Sequence, residues 1–169
     1  MKAEISSERF ILKSLDPKVH DLSNYLLWMR NKNSNLYIQG VRENYSPQDL
    51  SNYLTEKNNS STALLLGIFT KLDFHHIGNV KLEPIVTKKS ATIGILIGEE
   101  SWRGKGVGFE VIARLLEYSF NDLELEIVEL GVSKRNLKAL SLYTRLGFKE
   151  NVQNQTSQDS MTMSISKKT

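Results

Sequence analysis

The sequence contains no cysteine, and it has only three prolines and three histidines among 169 residues. Without cysteine, disulfides, thiolate metal sites and a cysteine nucleophile are all excluded. The adjacent His75 and His76 would face opposite sides of a strand, and no histidine pair has the spacing typical of metal ligands. These absences disfavour metal and thiol chemistry, and we expect no metal cofactor.

The chain also lacks a large charge excess and a long apolar segment. Its 22 lysines and arginines stand against 19 acidic residues, a formal net charge of +3. A nucleic-acid-binding domain would show a basic stripe, whereas 88–89 and 134–135 are short, separate basic clusters. No segment resembles a signal peptide or a membrane span. We therefore expect one cytoplasmic domain over 1–169, with neither nucleic acid nor a membrane as partner.

Apolar periodicity predicts an α/β domain. Alternating or continuous apolar runs indicate strands, and apolar residues three or four positions apart indicate helices. We predict strands over 9–15, 61–71, 76–86, 90–98, 125–133 and 160–166, and helices over 20–31, 46–57, 107–121 and 136–148. The polar stretch 151–160 is predicted to be a loop. This order favours a single mixed, mostly antiparallel sheet with helices on both faces.

A glycine-rich turn precedes the third predicted helix. In "RGKGVG", residues 103–108, three glycines alternate with other residues, and Arg103 and Lys105 add positive charge. Free backbone N–H groups and the helix dipole make such a turn suitable for phosphate. The spacing excludes a P-loop, and Phe109 stands where a dinucleotide fingerprint requires glycine. The turn therefore predicts a phosphate-bearing ligand of another kind.

Three segments together resemble the GNAT superfamily of N-acetyltransferases: "LIG" (96–98), "RGKGVG" (103–108) and "NLKALSLYTRLGF" (136–148). The resemblance implies acetyl-CoA as cofactor, held where the parallel strands 90–98 and 125–133 splay apart. The cofactor-binding residues that it implies are Leu96, Ile97, Gly98, Arg103, Gly104, Lys105, Gly106, Val107, Gly108, Asn136, Ala139 and Tyr143.

The same resemblance implies that Tyr143 is the general acid toward the departing thiolate. The alternative is a core aromatic on the inner face of its helix. Asn136 is equally explained as a helix N-cap. For the general base, Asn79, Lys81 and Glu83 share one face of a predicted strand, which suggests a cleft with Glu83 as base. Alternatively, Glu83 is part of a solvated strand end. In that case Glu99, Glu100 or a water chain would take the proton of the amine.

The acceptor is expected to be a primary amine, on a small molecule or a peptide. "SERFILKSL" and "HIGNVKL" resemble the branches that acetylate ribosomal-protein N-termini and bacterial amino sugars. Trp28, Arg30, Asn31 and Tyr37 would suit a nucleotide-sugar pocket, unless they are packing and solvated helix-end residues. A polyamine would favour an acidic cleft, and the sequence shows no acidic cluster. A non-catalytic coenzyme A-binding regulatory module is the alternative function, and a homodimer is compatible with either.

Overall fold

The computed structural model describes residues 1–31, 44–151 and 159–167. Within these ranges the strands are β1 (Glu4–Ser6), β2 (Phe10–Ser14), β3 (Leu64–Thr70), β4 (His76–Val86), β5 (Ser90–Ile97), β6 (Ile127–Ser133), β7 (Lys149–Glu150) and β8 (Ser160–Ser166). The α-helices are α1 (Ser23–Arg30), α2 (Pro47–Asn59), α3 (Val107–Asn121) and α4 (Leu137–Arg145).

The described strands form one sheet in the order β1-β2-β3-β4-β5-β6-β8-β7. Every neighbouring pair is antiparallel except β5 and β6, which run parallel. The predicted mixed, mostly antiparallel sheet is therefore confirmed. The sequence missed β1 and β7, which at three and two residues are too short to show periodicity. Most of the predicted loop 151–160 lies outside the described residues.

The helix boundaries follow from local signals. Ser46 caps α2 in a reciprocal capping box with Asp49, and Pro47 occupies the first turn, as predicted. Helix α3 has the predicted bounds, and its buried residues recur at the three- and four-residue spacing of one apolar face. Beyond α4, Gly147 has φ of +95°, the left-handed conformation that ends helices and favours glycine.

Two apolar cores cover opposite faces of the sheet. One core packs α3 and α4 against the sheet, and it includes Phe10 and Leu12 of β2. The other packs α1 and α2 against residues of β3 and β5, and Ile11 of β2 lies against it. Strand periodicity explains this alternation, because successive side chains point to opposite faces. Trp28 belongs to the second core, so it is a packing residue, while Tyr37 lies outside the described residues.

Candidate active site

The parallel strands β5 and β6 pair only at their first residues. The ladder joins Ser90 to Ile127, Ala91 to Val128 and Thr92 to Glu129, and no later pair of these strands is joined in the described structure. Beyond that point β5 pairs only with β4, and β6 only with β8. The facing backbone edges of 93–97 and 130–133 therefore border an open strand gap, whose N–H and C=O groups are available to a ligand.

A cavity of about 1890 Å³ includes this strand gap. On one side it extends to the glycine-rich turn and α4. On the other side it meets a surface that we call the α1–α2 wall, formed by Tyr25, Met29, Tyr45, Asp49, Asn52, Tyr53, Glu56, Asn79 and Lys81. The cavity thus joins a backbone-lined slot to a chamber with polar and aromatic side chains.

The glycine-rich turn has the geometry that a phosphate cradle requires. Gly104 and Gly106 have φ of +74° and +78°, in the left-handed region that other residues rarely adopt. Gly106 is the N-cap of α3, and no side chain caps this helix end, so its first N–H groups can bind an anion. Arg103 anchors the turn to the end of β5, because its Nε donates to the Ile97 carbonyl at 2.9 Å.

Most of the predicted cofactor-binding residues line the cavity. They are Leu96, Ile97, Arg103, Gly104, Gly106, Val107, Gly108, Asn136, Ala139 and Tyr143. Gly98 and Lys105 are not among the described lining residues. A Cβ on Gly98 would lie 2.0 Å from Trp28 Cδ2, so its small size accommodates the indole. The Lys105 Nζ lies 5.7 Å from the centroid of Trp102. Ligand contacts by these two residues stay predictions.

Helix α4 presents Asn136 and Tyr143 to the cavity. The Asn136 Oδ1 accepts from the Ala139 N–H at 3.2 Å, which is the N-cap interaction. Tyr143 is half-buried, and its ring meets Phe148 edge-on with 5.8 Å between centroids. Burial raises the pKa of Tyr143, and no hydrogen bond of its hydroxyl occurs within the described residues. The phenol therefore keeps its proton at neutral pH and can donate it.

Glu83 is held by two lysines. Its Oε1 lies 2.6 Å from Lys57 Nζ, and its Oε2 lies 3.3 Å from Lys81 Nζ. Burial acts to raise the pKa of Glu83, but the hydrogen bonds and charges of Lys57 and Lys81 outweigh it and lower that pKa. Glu83 is also absent from the described cavity lining. As a base it stays a prediction, and its ion pairs argue against it. Of the other two carboxylates considered, Glu99 lies 3.4 Å from His75 Nε2, and Glu100 Oε1 lies 3.7 Å from Arg103 Nη1.

The contribution of α2 to the cavity was not predicted from the sequence. Asp49, Asn52, Tyr53 and Glu56 follow the spacing of one helix face, and all four line the cavity. Burial raises the pKa of Tyr53 to about 12. The sequence showed no acidic cluster, but Asp49 and Glu56 bring two carboxylates to the same wall of the cavity. The periodicity was visible in the sequence, but the surface that this face meets was not.

Within the described residues, no helix is long and apolar enough to cross the hydrophobic layer of a membrane. The same residues contain no group of three acidic or histidine side chains that could hold a metal ion. Lys138 and Arg145 of α4, which the sequence analysis did not single out, also line the cavity. Both add positive charge to the cavity, and Arg145 Cζ lies 5.0 Å from the ring centroid of Phe109, the residue after the glycine-rich turn.

Comparisons with known proteins agree with this geometry. A family model of the GNAT acetyltransferase domain matches residues 9–149. The chain is 33% identical over 121 residues to a spermidine N(1)-acetyltransferase of Vibrio cholerae, covering 71% of this chain and 69% of that protein. It is 35% identical over 84 residues to the probable N-acetyltransferase YjcK of Bacillus subtilis, and this match spans 48% of this chain and only 46% of that protein.

Solved structures extend the likeness to nearly the whole chain. A spermidine N-acetyltransferase from Vibrio cholerae, in complex with CoA and spermine, has a TM-score of 0.83 at 26% identity. The alignment covers 94% of this chain and 95% of that one. A GNAT-family acetyltransferase from Bacillus anthracis shares the fold, with a TM-score of 0.79 at 14% identity, and covers 97% and 98%. The family match, the splayed strands and the glycine-rich turn lead to one conclusion: this chain belongs to the GNAT family of acetyltransferases, which use acetyl-CoA.

Proposed function

We propose that the protein is an acetyl-CoA-dependent N-acetyltransferase that transfers an acetyl group to a primary amine by direct attack. The observation that carries this proposal is the continuity of the cavity. It joins the strand gap, the glycine-rich turn, the hydroxyl-bearing Tyr143 and the α1–α2 wall. In this proposal the cofactor slot, the proton donor and the acceptor chamber share one space, which is what a single-step transfer between two bound substrates requires.

The residues of the strand gap suit coenzyme A. The unpaired backbone edges of 93–97 and 130–133 would bind the pantetheine amides as a neighbouring strand would. Gly131 leaves room beside them, since a Cβ there would meet nothing within 4 Å. The turn 103–108 would hold the pyrophosphate through its free N–H groups, with Arg103, Lys138 and Arg145 supplying positive charge.

Acetyl-CoA supplies a thioester whose acetyl carbon bonds to the amine nitrogen as the bond to sulfur breaks, so that coenzyme A leaves as a thiolate. In our proposal, Tyr143 gives its phenolic proton to the leaving sulfur. Its raised pKa keeps that proton in place until sulfur becomes basic. The surplus proton of the attacking amine passes to solvent, and the Tyr143 phenolate is reprotonated from solvent.

The attacking amine can lose its proton to Glu83 or to water. Glu83 lies two residues from Lys81 on β4, and Lys81 lines the cavity. A carboxylate whose pKa is lowered by two lysines is ionised but is a weak proton acceptor. We therefore favour proton loss to water, with Glu83 as the alternative to be tested by substitution.

The acceptor classes indicated by the sequence are an amino sugar or nucleotide sugar and a peptide N-terminus. The relatives named spermidine N-acetyltransferases add a polyamine as a third class. Asp49 and Glu56 on the α1–α2 wall support a cationic amine, although Asp49 also serves the α2 capping box and Glu56 lies 3.1 Å from Lys57. Lys81 on the same wall opposes it. Charge alone does not select among the three.

The first experiment is calorimetric titration of the purified protein with acetyl-CoA, with NAD and ATP as controls. We expect acetyl-CoA to bind selectively. A thiol-release assay with amino sugars, peptide amides and spermidine then tests turnover. Binding without turnover of any amine would contradict catalysis and favour a regulatory coenzyme A-binding module. The absence of binding by the folded protein would overturn the cofactor site. A homodimer stays a prediction for sedimentation to test.

A further inference from the structure

Asn79 of β4 is a buried polar residue with one half of its amide unused. Its side chain is part of a residue that is only 4% exposed and that lines the cavity on the α1–α2 wall. The Oδ1 atom lies 3.0 Å from His76 Nε2. The Nδ2 atom has no hydrogen-bond partner among the described residues. A buried donor without a partner costs free energy, so a ligand atom that accepts from Nδ2 would be favoured.

The orientation of this amide is determined by His76. The Nε2 atom of His76 lies 3.0 Å from the Gly78 carbonyl oxygen as well as 3.0 Å from Asn79 Oδ1. A backbone carbonyl only accepts, so Nε2 must carry the hydrogen. Rotating the amide by 180° would place Nδ2–H against Nε2–H. The carboxamide therefore keeps its oxygen toward His76 and its N–H groups directed away from it.

An aromatic cage holds the imidazole in this state. The ring centroids of Phe69, Trp28 and Tyr25 lie 4.9, 5.1 and 6.1 Å from that of His76. His76 is only 8% exposed, and burial lowers its pKa to about 4, so the ring is neutral near pH 7. The cage restricts rotation of the ring, so the Nε2–H group stays directed at the Gly78 carbonyl and Asn79 Oδ1.

The position of Asn79 assigns its free N–H groups to the acceptor. Asn79 pairs with Leu96 in the β4–β5 ladder, so β5 stands between Asn79 and the strand gap that suits coenzyme A. Lys81, the next residue on the same face of β4, also lines the wall, and its ammonium group has hydrogen-bond donors but no acceptor. Asn79 and Lys81 thus line the acceptor chamber from one strand, and Lys81 Nζ already lies 3.3 Å from Glu83 Oε2. A protonated polyamine has only donors, so it would leave the N–H groups of Asn79 unpaired.

We propose that Asn79 donates a hydrogen bond to an oxygen atom of the acceptor and that His76 positions its carboxamide. The acceptor is then a primary amine with a hydroxyl or carbonyl oxygen close to the amino group. An amino sugar and the N-terminal residue of a peptide both have this chemistry. The inference rests on the proposed acetyltransferase activity, and it selects against the polyamine that the names of the relatives suggest.

The test compares kcat/KM for acceptors with and without the oxygen, at saturating acetyl-CoA. Glucosamine is paired with cyclohexylamine, alaninamide with isopropylamine, and spermidine is included. For the wild-type protein we expect at least one oxygen-bearing amine to exceed its partner and spermidine by about 10-fold or more. A preference for glucosamine would identify a hydroxyl oxygen as the group that Asn79 binds, and a preference for alaninamide would identify a carbonyl oxygen.

Two substitutions at Asn79 assign the preference to its amide. Asn79→Leu keeps the volume and removes the donor, and we expect it to lower kcat/KM for the preferred acceptor about 10- to 100-fold, mainly through KM. Asn79→Asp keeps an oxygen toward His76 and replaces the donor by an acceptor, so the preference should shift toward spermidine. The Kd for acetyl-CoA should be unchanged in both. Asn121→Ala, which removes an exposed amide at the end of α3, is the matched control.

The positioning role of His76 is tested by its own pair of variants. His76→Phe keeps an aromatic ring in the cage but removes the N–H, so the preference for oxygen-bearing amines should fall. His76→Gln restores a donor toward Asn79 Oδ1 and should recover part of that preference. A purely structural role would instead lower kcat for every acceptor equally and would show no recovery with Gln.

The outcomes separate this inference from the proposed function. Equal kcat/KM for oxygen-bearing and oxygen-free amines, or a preference of the wild type for spermidine, overturns the inference and leaves the acetyltransferase intact. An equal loss for both classes in Asn79→Leu and Asn79→Asp also overturns it. Intact acetyl-CoA binding without turnover of any amine overturns the proposed function, and the inference with it.

Discussion

Arg9 and Glu110 form an ion pair that supports the glycine-rich turn from behind. The Arg9 Nε lies 2.7 Å from Glu110 Oε2, and the Arg9 backbone N–H donates to Glu110 Oε1 at 2.6 Å. The same guanidinium donates through Nη1 to the Lys105 carbonyl oxygen at 3.1 Å. Residues before β2 and in the first turns of α3 thus hold the backbone of the turn from outside the main cavity.

We predict that Arg9→Ala weakens acetyl-CoA binding without removing any group from the main cavity. Loss of these contacts frees the turn, and the Kd measured by calorimetry should rise about 3- to 10-fold. The matched control is Arg114→Ala, because Arg114 also joins α3 to the N-terminal strands, through the Ser6 carbonyl at 2.9 Å, but does not contact the turn. Equal Kd values for the two variants would contradict the role of Arg9 in holding the backbone of the glycine-rich turn.

Gly106→Glu should abolish measurable acetyl-CoA binding. The substitution places bulk and negative charge at the N-cap of α3, where the pyrophosphate is proposed to lie, and it also strains a residue with positive φ. Gly147→Ala is the control, because Gly147 has a similar φ but is absent from the described cavity lining. That control should lose about 1 kcal/mol of stability and keep its affinity. Unchanged affinity in folded Gly106→Glu would contradict the phosphate site.

Tyr143→Phe should lower kcat about 100-fold and leave the Kd for acetyl-CoA unchanged. The variant keeps the ring against Phe148 and removes only the proton that we assign to the leaving sulfur. Steady-state kinetics and calorimetry separate the two effects. Tyr118→Phe, on α3 and outside the described cavity lining, controls for loss of a half-buried hydroxyl. A wild-type kcat in Tyr143→Phe would leave this residue as a core aromatic.

Glu83→Gln decides between a base and a structural carboxylate. Because Glu83 is held by Lys57 and Lys81, we expect kcat/KM to fall less than about 10-fold and the shape of its pH profile to stay the same. The free energy of unfolding should fall, since the ion pairs are lost. A loss of about 100-fold or more, with the acidic limb of the pH profile removed, would establish Glu83 as the base. Glu124→Gln, which breaks an exposed ion pair with Lys88, is the control.

The buried His76 should make stability depend on pH. Its pKa is about 4 in the folded protein, against an ordinary value of 6.5, so the unfolded chain binds more protons between these values. The free energy of unfolding is therefore highest above pH 6.5 and falls as the pH approaches 4, because the unfolded chain takes up the proton first. Between pH 7 and pH 5 this amounts to about 2 kcal/mol. The free energy of unfolding, measured with urea, should fall by that amount from pH 7 to pH 5 in the wild type but not in His76→Phe. The same pH dependence in both proteins would contradict the assignment.

The local elements were predictable because their signals are local. Capping residues and apolar periodicity gave the start of α2 at Pro47 and the bounds of α3 at Val107 and Asn121. The alternating strands β4 and β5 were predicted within a residue of their ends. The two-residue β7 could not be predicted, since it exists only through its pairing with β8. A strand that short has no periodicity of its own.

The candidate site also has parts that the sequence predicted and parts that it did not. The turn 103–108 and Tyr143 could be predicted from the sequence as parts of a family pattern, because each lies within a short motif. The α1–α2 wall was not readable, since it is assembled from α1, α2 and β4, which are distant in the chain. Glu83 illustrates the difference: its place on the face of β4 was predicted, but the lysine of α2 that holds it was not.

The sequence by itself determined the α/β class, the family, the glycine-rich turn and the candidate proton donor, because periodicity and short-range spacing specify them. Only the tertiary structure decided where the parallel strands part, which carboxylates reach the cavity, and that His76 turns the amide of Asn79. Those features depend on contacts between residues far apart in the chain. Burial, which lowers the pKa of His76 and raises that of Tyr143, exists only after the two cores have packed.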